Sequence, residues 1–454
     1  MSSMSDEQGE RVERVESQGE GKPRVRLRTP DRSQVEMVFR CPDDLIPKGH
    51  PARVIWELSG RLDLSAFREP IKAREGVSGR DATDPRLLLC LWLYACTRGV
   101  GSARELARLC KSHDAYKWLC GGVTVNHHLL GDFRVGFGPE LDALFTRVIA
   151  SLVDRGLVRV YRTSQDGTRV RACAGAASFR REERLEKLLE EAKAHVEELS
   201  KQLDDPAASG GLSARKKAAR RRAAKERVER LEAAAAQLPE LKARQEAAAK
   251  KAGNGKVGQK VRERQPRAST TDAQARVMKM PDGGFRPAYN VQLAVDTESR
   301  AVVGVAVTNE GSDAANLAEP MRQQVEQRTG CQVKEHLLDG GYATAAEVGR
   351  CDAAGVALFA PPKPPRNPEK RGSEFEPRPT DSPAVRAWRE RMGSEEGKAV
   401  YKQRGSTVET VNADLKTHRG LGRLLVRGVA KVTCCALWSA LAYNVLHFGH
   451  ALLA

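Results

Sequence analysis

Apolar positions follow three different rhythms along this chain. Between residues 37 and 156 they recur at helical spacing, in runs bounded by capping residues. The densest run is Pro85-Arg-Leu-Leu-Leu-Cys-Leu-Trp-Leu-Tyr-Ala-Cys96, with Asp84 placed to cap it and Pro85 at the first helical position. Ser102 precedes a second helix, Ala103 to Lys111, with Glu105 three residues on. From Arg180 to Lys251 the rhythm changes. Leu185, Leu189, Ala192, Val196, Leu199 and Leu203 are spaced 4-3-4-3-4, a heptad seam. Asp204-Asp-Pro-Ala-Ala-Ser-Gly-Gly211 interrupts it, and Ala224, Val228, Leu231, Ala235 and Leu238 resume it until Pro239. Two seams around a Gly-rich turn predict an inserted antiparallel helical hairpin, a coiled coil, with Gly253 to Arg267 as a basic linker.

The third rhythm is alternation. Val158-Arg-Val-Tyr-Arg-Thr-Ser-Gln165 predicts a strand ending at Asp166. Arg286 to Asp296 and Arg300 to Thr308 predict two more strands, joined by the short turn Thr297-Glu-Ser299. Then come a helix over Ala314 to Thr329, a strand over Val333 to Leu338 ending at Asp339, a helix over Ala343 to Ala354 and a strand over Val356 to Ala360. Residues 361–383 are Pro-rich and irregular, and the remainder is mostly helical. The class is mixed α/β. With the insertion removed, the order is that of a ribonuclease H-like core: three antiparallel strands, then strands reached through helices. The expected organisation is a disordered tail over 1–36, an all-helical N-terminal domain over 37–156, a catalytic domain over 157–179 and 268–454, and the hairpin with its linker over 180–267.

Charge narrows the class of partner. Lys plus Arg number 76 against 59 Asp plus Glu, a formal net charge of +17, and the excess is clustered. Such a chain attracts polyanions, nucleic acid above all. The second arm of the hairpin carries Arg215-Lys-Lys217 and Arg220-Arg-Arg222, a solvated face or a track for phosphates. The 10 cysteines form no CxxC pair and no zinc-like spacing, and Cys90, Cys96 and Cys434 sit in apolar runs as small buried hydrophobes. Reduced thiols fit a cytoplasmic protein. Met1 to Lys22 lacks the apolar segment of a signal peptide, and no stretch is expected to reach the roughly 18 apolar residues that span a bilayer.

Two aspartates fall at predicted strand ends beside glycine: Asp166 before Gly167, and Asp339 before Gly340 and Gly341. In this strand order the two strands are neighbours, so the carboxylates converge. A Glu from a later helix completes an all-oxygen cluster suited to Mg²⁺ or Mn²⁺. Asp296 reads instead as a hairpin-turn residue, Asp313 as a helix N-cap and Asp272 as a cap. His127 and His128, in an apolar helical region without an acidic pair, read as packing or phosphate contacts.

The motifs together resemble the DDE transposases of bacterial insertion sequences, over roughly residues 37 to 450. They are Ser164-Gln-Asp-Gly-Thr168, His336-Leu-Leu-Asp-Gly-Gly-Tyr342, and Tyr401-Lys-Gln-Arg404 … Glu409 … Lys416. Arg286-Pro-Ala-Tyr-Asn-Val-Gln292, Gly101 to Leu106, His127-His128 … Asp132-Phe-Arg134, Val426 to Val432 and Ala442-Tyr-Asn-Val445 are similar as well. The resemblance implies Asp166, Asp339 and Glu409 as catalytic metal ligands for two Mg²⁺ or Mn²⁺ ions. It implies Tyr401, Arg404 and Lys416 as DNA contacts. Glu409 and Lys416, seven apart, share a helix face. Two departures stand out. The gap from Arg404 to Glu409 is one residue longer than the commonest spelling, and Asn412 and Ala413 replace the usual Phe and Gly, which puts local packing in question.

The resemblance further implies cleavage at transposon ends and strand transfer into target DNA, by a homo-oligomer that holds both ends. Two other readings are a catalytically silent DNA-binding relative and a structure-selective nuclease on the same core. The first would nick no DNA, and the second would give no strand-transfer product.

Overall fold

The computed structural model describes residues 30, 32, 33, 35, 37, 39, 41–76, 78–205, 211–311, 317–364 and 373–454. The chain forms two units, Met1–Cys41 and Pro42–Ala454. In the first, Val35, Met37 and Phe39 are exposed. The reading of 1–36 as a disordered tail falls almost wholly outside the described residues.

The second unit opens with helices α1 (Pro51–Gly60), α2 (Ser65–Arg68), α3 (Pro85–Thr97), α4 (Ala103–Ser112), α5 (Asp114–Cys120), α6 (His127–Gly136) and α7 (Gly138–Asp154). The predicted caps are in place: Asp84 Oδ1 accepts from Arg86 N at 2.9 Å, and Ser102 Oγ from Glu105 N at 3.3 Å. Helix α3 is buried on every side from Leu87 to Thr97, as an apolar stripe without a polar face requires.

The main sheet is built from β1 (Arg162–Arg171), β4 (Arg276–Lys279), β5 (Phe285–Asp296), β6 (Val302–Thr308), β7 (Glu335–Leu337) and β8 (Ala357–Phe359), while β2 (Phe179–Arg180) and β3 (Ala268–Ser269) make a separate ribbon. Strand β5 lies between β1 on one edge and β4 and β6 on the other, all antiparallel to it. Strands β7 and β8 continue from β1 in parallel. Between β6 and β7 runs α12 (Ala318–Thr329), and between β7 and β8 runs α13 (Ala345–Ala353).

The strand expected to stop at Asp166 does not stop there. It starts later, at Arg162, and runs to Arg171, because β5 pairs with it from Thr163 to Arg171 and carries the ladder past Gly167. Asp166 therefore stands mid-strand.

Between β2 and β3 lie α8 (Glu182–Asp204), α9 (Ala214–Ala235), α10 (Leu238–Ala252) and α11 (Lys256–Glu263). The ion pair Lys193–Glu232 at 3.1 Å and the bond from Arg221 to Asp204 run α8 and α9 side by side in opposite directions, and Lys242–Glu182 at 2.8 Å ties the start of α8 to α10. Leu185, Ala192, Leu231 and Ala234 are buried between them. The segment read as a basic linker, Gly253 to Arg267, contains α11 instead. Gln245 Nε2 on α10 donates to Val261 O at 2.6 Å and holds that turn.

Helices α14 (Pro383–Gly393), α15 (Glu395–Arg404), α16 (Thr410–His418) and α17 (Val429–Leu453) complete the chain. Contrary to the sequence expectation, α17 is long and apolar enough to cross a membrane by length and composition. Uncharged Thr433, Ser439 and Asn444 break the run of apolar residues without adding charge. Most of α17 is buried in protein: it packs on α1, α3, α6 and α7 and also on β6. Trp438 Nε1 donates to Arg134 O at 2.9 Å, and Asn444 grips both backbone groups of Val302, at 2.9 and 2.8 Å. One helix thus ties the helical region and the sheet into one continuous core.

Candidate functional site

The sheet register carries the first two acids together. Arg162 pairs with Glu335, Thr163 with His336 and Ser164 with Leu337. Asp166 and Asp339 follow two residues after the last of these pairs, and both lie within electrostatic reach of Arg404 and Tyr401. Strand β7 proper ends at Leu337, but Leu338 N still bonds Phe359 O at 2.9 Å, so the chain stays extended as it delivers Asp339. The chain then turns: Tyr342 N bonds Asp339 O at 3.0 Å. A side chain at Gly340 would be tight here, since a Cβ would lie 3.1 Å from Pro361 O and that neighbour would have to give way slightly. Beneath the acids, Tyr342 Oη donates to Gln292 Oε1 at 2.5 Å, and Gln165 Nε2 donates to the same oxygen at 3.1 Å. The second acidic motif is thereby tied to β5 and to the residue preceding Asp166.

The third acid arrives on a helix with an irregular turn. Between α15 and α16 the residues Gly405–Glu409 form one turn of π-helix. Arg404, just before it, is only 8% exposed. Its Nη2 lies 2.7 Å from Asp166 Oδ1, and its Nη1 donates to Glu409 Oε1. Burial opposes the Arg404 charge, but Asp166, Tyr401, Glu409 and Asp339 outweigh it and hold the guanidinium pKa above its ordinary value. Tyr401, one turn earlier and half-buried, has its phenol pushed up by burial. It lies within electrostatic reach of Arg404 and of all three acids. Lys416 is half-buried on α16, seven residues after Glu409.

Asn412 is a residue that sequence reasoning passed over. Its Nδ2 donates to Asp166 Oδ2 at 3.1 Å, while its Oδ1 is buried without a hydrogen-bond partner. The signal was there as a polar residue in place of Phe, but it read as a packing fault.

Among the described residues, no three His, Cys, Asp or Glu side chains are grouped closely enough to hold a metal ion. Arg404 stands between Asp166 and Glu409 and supplies the neutralising charge. The donor set nevertheless fits a hard divalent cation. It is all carboxylate and amide oxygen, from Asp166, Asp339 and Glu409, with the buried, unbonded Oδ1 of Asn412, whose amide nitrogen holds Asp166.

The other candidates lie elsewhere. Asp296 accepts from Ser299 N at 2.9 Å and closes the β5–β6 turn. Asp272 is buried, accepting from Tyr289 Oη at 2.7 Å and Gly428 N at 3.1 Å. It also accepts from the backbone N–H of Gln274, the local turn contact expected of a cap, and joins β5 to the start of α17, while Ser269 Oγ accepts from Asp272 N at 3.0 Å. Asp313 lies outside the described residues. His127 and His128 open α6 with their rings 4.1 Å apart.

The Transposase DDE domain family matches residues 258–445, and the Transposase domain (DUF772) family matches residues 40–135. The chain belongs to the DDE transposases of insertion sequences. As a transposase of this group its partner is DNA and its chemistry is that of a divalent-metal family. The DDE-domain match starts beyond the inserted helices α8 to α10, so Asp166 lies outside both matched ranges, and its place rests on β1 and on its contacts with Arg404 and Asn412. No curated protein and no solved structure matches this transposase.

Proposed function

We propose that this transposase cuts DNA at transposon ends and joins the freed ends to target DNA, using Asp166, Asp339 and Glu409 as its acidic triad. The observation that carries the reading is the parallel pairing of β1 with β7 just ahead of Asp166 and Asp339, together with Arg404 bonded to both Asp166 and Glu409. The strand order β6-β5-β1-β7-β8, antiparallel then parallel, supports a ribonuclease H-like core. The opposed α8 and α9, with heptad residues between them, support a coiled-coil hairpin inserted in that core. The matched range 40–135 supports a helical N-terminal domain over 37–156 that shares α17 with the catalytic part.

Asp166, Asp339 and Glu409 would hold two Mg²⁺ or Mn²⁺ ions, which when bound supply activation of the attacking oxygen and stabilisation of the leaving one. Asn412 orients Asp166 through its amide. Arg404 neutralises Asp166 and Glu409 in the resting site and is the group poised to take a DNA phosphate once that charge is supplied otherwise. Tyr401 and Lys416 flank the acids and contact the DNA backbone. Catalysis is then positioning and charge neutralisation, without a covalent enzyme intermediate. The protein acts as a homo-oligomer that holds both ends, in the cytoplasm and on the nucleoid when bound.

The test is nicking of terminal-repeat duplex with Mg²⁺ or Mn²⁺, followed by a search for joined products. The wild type is expected to nick and join, and Asp166→Ala and Asp339→Asn to lose at least a thousandfold, roughly the scale of an essential electrostatic group. Wild-type protein that nicks without joining is a nuclease, and one that does neither while binding DNA is a silent relative.

A further inference from the structure

A second charged site lies at the root of the helical arm. Arg180 on β2, Arg227 and Arg230 on α9, and Arg427 just before α17 line one hollow of about 480 Å³, with Thr270 and Thr271 in its wall. No carboxylate lines it. The nearest counter-charge in the ion pairs is Glu226, 3.9 Å from Arg230 and half-exposed. Asp272, next to Thr271 in sequence, turns its Oδ1 inward to Tyr289 and Gly428. Four guanidinium groups that cannot lose their protons therefore surround an open, acid-free space.

Guanidinium forks match the paired oxygens of a phosphodiester. A small anion would be served by the hollow alone, but the charge continues outward. Arg230, Arg227, Arg220 and Lys216 recur at helical spacing along one face of α9. At 1.5 Å per residue they cover about 21 Å, the reach of several successive phosphates. A line of fixed positive charge leading out of a basic hollow suits an extended polyanion.

We propose that this hollow binds the sugar-phosphate backbone of duplex DNA and that the α9 face guides the same duplex along the arm, a second anchoring site apart from the acids. The proposal rests on the reading of the protein as a DNA-acting transposase.

The experiment is binding of a fluorescent 40-base-pair duplex by the full-length protein in EDTA, measured by anisotropy at several salt concentrations. Arg227→Gln/Arg427→Gln is expected to raise Kd roughly tenfold and to make the plot of log K against log salt shallower by about 2, the loss of two phosphate contacts. Lys48→Gln/Lys111→Gln, which removes the same charge from exposed positions elsewhere, is the control and is expected to leave the slope unchanged. A hollow variant that shifts the slope no more than this control overturns the proposal. If the double variant does not melt cooperatively, Arg427→Glu alone, at an exposed loop position, must show the same direction or the proposal falls. Duplex binding that ignores the hollow, alongside intact metal-dependent nicking, removes the hollow and leaves the transposase reading standing. A wild type that binds no duplex removes both.

Discussion

Arg404 and Asp166 meet at 2.7 Å across a boundary of more than two hundred residues, and the same guanidinium also holds Glu409. One buried cation thus settles the repulsion between two acids. Arg404→Ala should cost about 2 kcal/mol of stability without added metal, the scale of lost charge-assisted hydrogen bonds. Mn²⁺ should then raise the melting temperature of the variant more than that of the wild type, because the acids lack their internal counter-charge. Arg404→Lys should rescue little, since one ammonium does not fork to two carboxylates. Equal Mn²⁺ shifts in wild type and Arg404→Ala would sink this account.

The π-turn explains how Arg404 and Glu409, five apart, meet each other. In an α-helix a five-residue separation turns a side chain well off the starting face, whereas one π-turn absorbs the extra residue. Deleting exposed Ser406 should restore a regular helix with Arg404 and Glu409 four apart, and nicking should stay within a few-fold. Inserting Ala after Ser406 should swing Glu409 by about 100° and reduce nicking at least a hundredfold. Helicity by circular dichroism should remain the same in both. The reverse ranking of the two variants would refute the explanation.

Asn412→Ala removes the amide that orients Asp166. Groups that orient a ligand typically matter 10–100-fold in metal affinity or activity, so Mn²⁺ affinity measured by calorimetry should weaken by about tenfold or more. The fold should lose only about 1 kcal/mol in urea titration. Unchanged Mn²⁺ affinity would reduce Asn412 to a packing residue.

His336 on β7 gives a pH signature. It is fully buried with neither ring nitrogen bonded, and burial, with some help from Arg322, pushes its pKa down from 6.5 to about 3. The unfolded chain takes up this proton near pH 6.5, while the folded chain resists until about 3. Stability is therefore whole above pH 6.5 and falls below it, by up to about 1.4 kcal/mol per pH unit from this group. His336→Leu should flatten that limb in urea titrations between pH 6.5 and 4. Superimposable limbs would show that the histidine does not titrate this way.

The alternating strands and the capped helices were legible because each is set by local periodicity or by one capping side chain. The extent of β1 was not, since it depends on a ladder partner more than a hundred residues away. Nor was the bond from Asn412 to Asp166, because it depends on where α16 docks. The π-turn left only a one-residue excess in spacing, whose shape comes from the need to keep Glu409 facing Arg404 while Arg404 reaches Asp166. In α11, a short helix is held by a glutamine on its neighbour and not by its own composition.

Helix α17 fills the helical region and the sheet edge at once, yet it is encoded after both. During translation, neither region can reach its final packing while this segment is still within the ribosome. The growing chain must wait with apolar surface uncovered, and that makes its emergence the step at which chaperone assistance would matter most.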